Sequence, residues 1–177
     1  MKTFIVVGRM QPMHKGHLSI IKYITKNLDF DFDKDEIVIV NGSANESRTK
    51  KNPFTWQERK EMITDTLKDE FGKKLNFRVE HINDYDDYMS WVAALKKVVK
   101  RNKATIVGVD DVDFYARLSG YTPIIVPETV KIHATQIREK LAKGEISKLC
   151  PESVRKWLKK NNGVKIIQTL NESYFPY

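Results

Sequence analysis

Cysteine is almost absent from this chain of 177 residues. A single thiol, Cys150, excludes an internal disulfide framework and any metal site built from several cysteines, and it fits a reducing compartment. It reads as a structural residue. Long apolar runs are missing too: "MKTFIVVG" offers five consecutive non-polar residues, too few for the core of a signal peptide. No later run approaches the ~20 residues that a membrane span needs. The expectation is a cytoplasmic protein with no membrane partner. Histidine is scarce at four, yet two of the four, His14 and His17, lie three residues apart. No set of side chains with metal-ligand spacing stands out, so no protein-held metal is expected.

What is present is a 41% hydrophobic fraction, enough for one good core in a chain too short for two ordinary domains. A single domain is expected over 1–177, with a helical C-terminal portion from about 135. Lys and Arg number 31 against 23 Asp and Glu, and the resulting +8 favours an anionic partner: nucleotide, nucleic acid or acidic surface.

The run Phe4 to Val7, ending at Gly8, reads as a strand buried on both faces, and Leu18, Ile21, Ile24 and Leu28 then recur at helical spacing. "EIVIVNGS" at 36–43 is a second buried strand. "TWQE" at 55–58 has the form of a capping box, opening a helix whose face carries Ile63, Leu67 and Phe71. A strand over 77–82 follows, then a helix through Trp91, Val92, Leu95, Val98 and Val99, then the strand "ATIVGV" at 104–109. A short helix over 114–118 precedes the strand "PIIV". Helices over 135–143 and 152–161 come last, closed by Gly144 and by "NNG". Strands alternating with helices predict an α/β fold, a parallel sheet with helices on both faces.

Two stretches imitate other functions. "DFDFDKDE" at 29–36 begins like a calcium loop, but Lys34 replaces the required glycine and Val40 the terminal glutamate, so it reads as a solvated connection. The basic "KKVVKRNK" falls on the outer face of a predicted helix and reads as a solvated surface.

In an open parallel sheet, ligands bind beyond the carboxyl ends of the strands, where glycine admits phosphate to the backbone and helix N-termini present free N–H groups. The loop from Gly8 to His17 occupies that position. An anion there would meet Arg9, both imidazoles and the opening turn of a helix, with Gly16 removing a side chain where a phosphate approaches.

"GRMQPMHKGH" resembles the GRxQPxHxGH signature of the HxGH nucleotidylyltransferase superfamily, in the form of archaeal-type nicotinamide mononucleotide adenylyltransferases. "GSANESRTKKNPFTWQER" at 42–59 is similar to that family's GSAQxSxTxxNPFTxGER segment. "INDYDDYMSWV" resembles its acceptor-binding stretch, and "HATQIR" its late SGTxIR motif. The matches fall in the family's order over about residues 5 to 163. The fold so implied is a Rossmann-like open sheet of nucleotidylyltransferase type, and the activity is adenylyl transfer from ATP to nicotinamide mononucleotide, giving NAD and pyrophosphate.

The resemblance assigns catalysis to His14, His17 and Arg138. ATP contacts fall to Gly8, Arg9, Met10, Gln11, both histidines, Lys51, Asp110, His133, Thr135 and Arg138. Acceptor contacts fall to Asn41, Ser43, Asn45, Phe54, Asp84 and Trp91. His17 is placed nearest the α-phosphate, and Thr135 is expected to cap the helix that carries Arg138. Several alternatives stay open. Arg48 and Lys50 are close enough to Lys51 to be the true phosphate contact. Trp91 falls on the apolar stripe with Leu95 and Val98, so it either stacks on the nicotinamide ring or belongs to the core. Asp84 either accepts hydrogen bonds from the acceptor or caps the next segment. His133 and Ala134 stand where the family has smaller residues, and His133 either adds a phosphate contact or widens the loop. Asp110 or Asp111 replaces the asparagines expected at the adenine side.

Adenylyl transfer of this kind implies Mg²⁺ held mainly through the ATP phosphates. The resemblance also implies a homo-oligomer, and the tail "ESYFPY" is aromatic enough for such a contact or for folding back. Rival readings are an adenylyl- or cytidylyltransferase with another phosphate acceptor, and a nucleotide- or RNA-binding module without turnover. Intact phosphate motifs and the lack of interleaved stacking aromatics favour an enzyme with no nucleic-acid partner.

Overall fold

The computed structural model describes residues 1–127 and 132–172. Strands β1 (Thr3–Gly8), β2 (Glu36–Asn41), β3 (Phe77–His81), β4 (Thr105–Gly108) and β5 (Thr122–Ile125) form a parallel sheet in the order β3-β2-β1-β4-β5. Between and after them run α1 (Lys15–Asn27), α2 (Trp56–Phe71), α3 (Tyr88–Val99), α4 (Val112–Ser119), α5 (Ala134–Ala142), α6 (Glu152–Lys160) and α7 (Gly163–Glu172).

Alternation along the strands divides the apolar residues between two cores. Phe4, Val6, Ile37 and Ile39 pack against Leu18, Ile21 and Ile24 of α1 and Met62, Ile63 and Leu67 of α2. Ile5, Val38, Val40 and Ile106 turn the other way, onto Leu95 and Val99 of α3 and Val112 and Ala116 of α4. Helices therefore cover both faces, which is why the strands read as unbroken apolar runs. The capping box forms as its spacing predicts: Glu58 N–H donates to the Thr55 hydroxyl at 3.2 Å, and Thr55 N–H to the Glu58 carboxylate at 2.8 Å.

"NNG" closes α6 at Lys160, with Asn161 as its C-cap, but the helices do not end there: Gly163 is the first residue of a further helix, α7. Asn162 takes the left-handed turn instead, at φ 54. A Cβ on Gly163 would stand 2.5 Å from Cδ2 of Leu158, so the glycine is there to let α7 approach α6. Ile137 and Leu141 of α5, Val154 and Leu158 of α6 and Ile167 of α7 extend the first core. The aromatic tail beyond Glu172 lies outside the described residues.

Residues 29–36 form a turn held by local pairing, with Asp31 bound to Lys34 at 2.9 Å and Asp35 accepting the N–H of Asp31 at 3.0 Å. Cys150 is buried, and burial pushes its thiol up to about 12. Among the described residues no helix is long and apolar enough to cross a membrane.

The strand order places β2 and β3 on one side of β1 and β4 and β5 on the other. The chain changes direction between β1 and β4, and the loops leaving those two strands part there to leave a crevice.

Candidate active site

A cavity of about 800 Å³ opens at that crevice. Its walls come from the loop after β1, the loops after β2 and β4, and the opening turns of α1, α4 and α5.

His14 is the N-cap of α1, with extended backbone at φ −135, and its ring stacks on that of His17 with centroids 3.8 Å apart. The backbone N–H of His14 donates to Nδ1 of His17 at 3.3 Å. With Nδ1 engaged as an acceptor, the proton of a neutral His17 ring resides on Nε2. The place a Cβ would take on Gly8 lies 3.8 Å from that Nε2, so the missing side chain leaves the donor uncovered. The approach of the His14 ring to the start of α1 does not reach hydrogen-bond geometry, and its buried Nδ1 has no partner among the described residues. Burial, then the neighbouring His133, pushes His14 down to about 4; burial, then His14, holds His17 well below the usual imidazole range. Both rings are neutral near pH 7 and present N–H donors without a formal charge.

Positive charge comes from beside them. Arg9 and Lys51 line the cavity, and Arg138 reaches it from α5. One Arg138 nitrogen donates to the Gln11 carbonyl at 3.0 Å and another to the Thr135 hydroxyl at 3.1 Å, which ties α5 to the first loop. Of the three basic candidates in the second loop, Lys51 alone lines the cavity. Arg48 is held by Glu58 at 2.6 Å and by the Pro53 carbonyl at 2.8 Å, and Lys50 lines a neighbouring depression. Thr135 is not the cap: α5 begins at Ala134 with His133 in the N-cap position, so the threonine hydroxyl is free to brace Arg138. His133, Gly8, Met10 and Asp110 also line the cavity.

Several residues that the sequence assigned to substrate also hold other residues, Gln11 and Ser43 while lining the cavity. The Gln11 amide is spent on the Phe54 backbone, accepting from its N–H at 3.0 Å and donating to its carbonyl at 2.9 Å. Phe54 is fully buried, edge-on to Trp157, and does not reach the cavity. The Ser43 hydroxyl donates to the Asp84 carboxylate at 2.9 Å, and Asn45 accepts the Asp84 N–H at 2.8 Å. Asp84 thus enters the cavity wall already anchored, and the cap of α3 is Asp87. Trp91 packs against the second core and also lines the cavity. Asn41 is buried on the face it shares with Ile37 and Ile39, next to Gly8 across the sheet. It does not line the cavity, and neither amide atom has a partner among the described residues.

Arg59 was missed. It is completely buried, and its guanidinium donates to the carbonyls of Arg9 at 2.6 Å, Gly42 at 2.8 Å, Ser43 at 3.2 Å and Thr55 at 3.3 Å. One side chain therefore pins both substrate loops to α2. Its signal was available: residues 59, 62, 63, 66 and 67 share the buried helix face, and an arginine in that stripe must find carbonyls or carboxylates. Asn52, also missed, lines the cavity with a buried, unpartnered amide oxygen.

The cavity is rich in donors, and among the described residues no three His, Cys, Asp or Glu side chains are grouped to hold a metal ion. Donors of this kind suit an anionic ligand.

Residues 5–140 match the model of the cytidylyltransferase-like family. A nicotinamide-nucleotide adenylyltransferase of Pyrococcus furiosus is 37% identical over 176 residues, covering 96% of this chain and 89% of the relative. One from Methanococcus maripaludis is 35% identical over 176 residues, covering 97% and 96%. Among solved structures, a bifunctional NMN adenylyltransferase/ADP ribose pyrophosphatase of Francisella tularensis, complexed with AMP and a manganese ion, superposes with a TM-score of 0.78 at 27% identity. The comparison covers 96% of this chain and 51% of that one, so the chain spans about half of the bifunctional protein. With sheet, crevice and relatives in agreement over nearly its whole length, this chain belongs to the nicotinamide-nucleotide adenylyltransferase family, within the cytidylyltransferase-like proteins.

Proposed function

We propose that the chain transfers the adenylyl group of ATP to the 5′-phosphate of nicotinamide mononucleotide. A phosphate oxygen of the acceptor attacks the α-phosphorus, the bond to the β-phosphate oxygen breaks, and NAD and pyrophosphate leave. A phosphate monoester has a second pKa of about 6 and is largely dianionic at neutral pH, so no base is required. The chemistry needs relief of repulsion between two polyanions, alignment, and donors that follow the moving charge.

The observation that carries this reading is the His14–His17 pair. Neutral rings fixed by one backbone hydrogen bond keep Nε2–H of His17 as a donor for an α-phosphate oxygen, without extracting a proton. Arg9, Lys51, His133 and Arg138 surround the rest of the triphosphate, and Gly8, Met10 and Asp110 shape the nucleotide wall. Asp84 and Trp91 take the acceptor, with Asp84 positioned by Ser43 and Asn45, while Gln11 and Phe54 join the first loop to the segment before α2. Mg²⁺ carried on the phosphates would neutralise charge on the pyrophosphate as it leaves; the manganese and AMP bound by the Francisella relative support a divalent ion. The reading includes a homo-oligomer in the cytoplasm, checked by light scattering and by cell fractionation.

Mixing the protein with ATP, Mg²⁺ and nicotinamide mononucleotide should give NAD and pyrophosphate in equal amounts. His17→Ala should lower turnover on the order of 10² to 10³-fold, the cost of removing one charge-stabilising donor, with its circular dichroism unchanged. Near wild-type turnover in that variant would remove His17 from the chemistry.

A further inference from the structure

Where α3 meets α4, the cavity wall contains two residues that no motif assigned to the acceptor. Tyr115 stacks on Trp91 with ring centroids 4.5 Å apart and planes at 33°, and both rings line the cavity. At that separation nothing fits between them, so they form one joined aromatic surface on the cavity wall. One turn before Tyr115, Asp111 also lines the cavity. It sits in left-handed backbone at φ 54, and although it occupies the N-cap position its carboxylate makes no capping bond. A non-glycine residue in that conformation costs about 1 to 2 kcal/mol, and strain of this kind gathers at ligand sites. The placement depends on Gly108, where a Cβ would stand 2.8 Å from Val112: the glycine lets α4 start directly against the end of β4. Asp84, held by Ser43, faces the same wall, and the carboxylates of Asp111 and Asp84 help to raise the Tyr115 phenol above its ordinary range, behind the effect of burial.

We infer that Tyr115 and Asp111 complete the ring subsite begun by Trp91 and Asp84, and that this corner selects a positively charged pyridinium bearing a neutral carboxamide over the same ring bearing a carboxylate. The inference rests on the adenylyl-transfer reading and adds to it the ground for discrimination. An N-ribosylated pyridinium is cationic, so an aromatic wall attracts it by cation–π interaction and two carboxylates attract it by charge. Replacing the carboxamide by carboxylate puts a third negative group into that corner, which selects by repulsion rather than by fit. The cavity's cationic side chains, Arg9, Lys51 and Arg138, lie on the loops after β1 and β2 and on α5, so the corner of α3 and α4 also orients the acceptor: phosphate toward Arg9 and the histidines, ring toward Trp91 and Tyr115.

The test is the ratio of kcat/KM for nicotinamide mononucleotide to that for nicotinate mononucleotide. The ratio is internal to each preparation and does not depend on the fraction folded. Wild type should favour the amide by about tenfold or more, one carboxylate pair's worth of repulsion at 1.4 kcal/mol per decade. Asp111→Asn should narrow the ratio several-fold, chiefly through better use of the nicotinate. Tyr115→Leu should raise the acceptor KM about tenfold, Tyr115→Phe should leave it near wild type, and the KM for ATP should stay within about a factor of two in both. Equal use of both acceptors by wild type, or an unchanged ratio in Asp111→Asn, overturns the assignment. Titration calorimetry with the two mononucleotides reads the same preference without turnover. Preferential binding without dinucleotide formation would defeat the adenylyl-transfer reading and leave the subsite standing.

Discussion

Nδ1 of His17 accepts the backbone N–H of His14 while the two rings stack. The capping interaction that starts α1 thereby dictates which nitrogen of His17 carries the proton. Side chains that imitate one nitrogen or the other separate the two duties. His17→Asn keeps an acceptor near the Nδ1 position and loses the outward donor, whereas His17→Gln carries an amide toward the Nε2 position. Turnover should fall on the order of 10² to 10³-fold in the asparagine variant and distinctly less in the glutamine variant, measured as NAD formed per enzyme under saturating substrates. The reverse order would mean that the cap, and not the donor, limits the reaction.

Arg59 supplies a second contrast. Removing it takes the guanidinium donor from three carbonyls, one on the loop after β1 and two on the loop after β2. Arg59→Met should cost about 3 to 5 kcal/mol, the range for breaking a buried charged network, and lower Tm on the order of 10 °C. Because the Arg9 and Ser43 carbonyls sit on opposite substrate loops, KM should rise for ATP and acceptor together. A rise in one alone would show that the loops are held independently.

Burial of His14 makes the free protein sensitive to acid. Above pH 6.5 the ring is neutral whether the chain is folded or not. Between 6.5 and about 4 the unfolded chain takes up a proton that the folded site refuses, so stability falls as pH drops through that window. The loss due to this ring is on the order of 3 kcal/mol at its largest, and His17 acts in the same direction. Urea titrations at pH 7.5 and 4.5 should show a smaller decrease for His14→Gln than for wild type. An identical decrease would place the acid sensitivity elsewhere.

Ser43→Ala tests whether the second loop works through Asp84. The lost hydrogen bond is to a charged group and amounts to about 1.5 kcal/mol, so the acceptor KM should rise roughly tenfold while the KM for ATP stays within a factor of two. Parallel changes in both constants would contradict an action through Asp84 alone.

The strands and the first two helices were legible because their signals are local. "FIVVG" and "EIVIV" are apolar without interruption since both faces of each strand are covered, and Thr55 and Glu58 lie at the one spacing that lets each satisfy the other. The candidate site was legible as a set of positions, and less so as a set of roles. Gln11 and Ser43 line the cavity and Asn45 does not, and the polar atoms of all three meet partners some 40 residues away in sequence, a matter of tertiary geometry that no spacing encodes. Gly163 hid the start of α7 for a related reason: a glycine at a helix end and a glycine at a helix crossing are the same letter, and only Leu158 distinguishes them. Tyr115 carried no signal, and Asp111 was expected only at the adenine side, because what they share with Trp91 and Asp84 is a cavity wall reached from another helix.

The sealed thiol of Cys150 has a practical outcome. With its ionisation pushed to about 12 and no solvent access, it should ignore maleimides and mild oxidants, so the native chain behaves towards such reagents as though it had no cysteine. A single cysteine introduced at the exposed Ser47 would then be the sole attachment point for a dye, in the loop that carries Lys51 and one residue from Glu46 of the cavity wall.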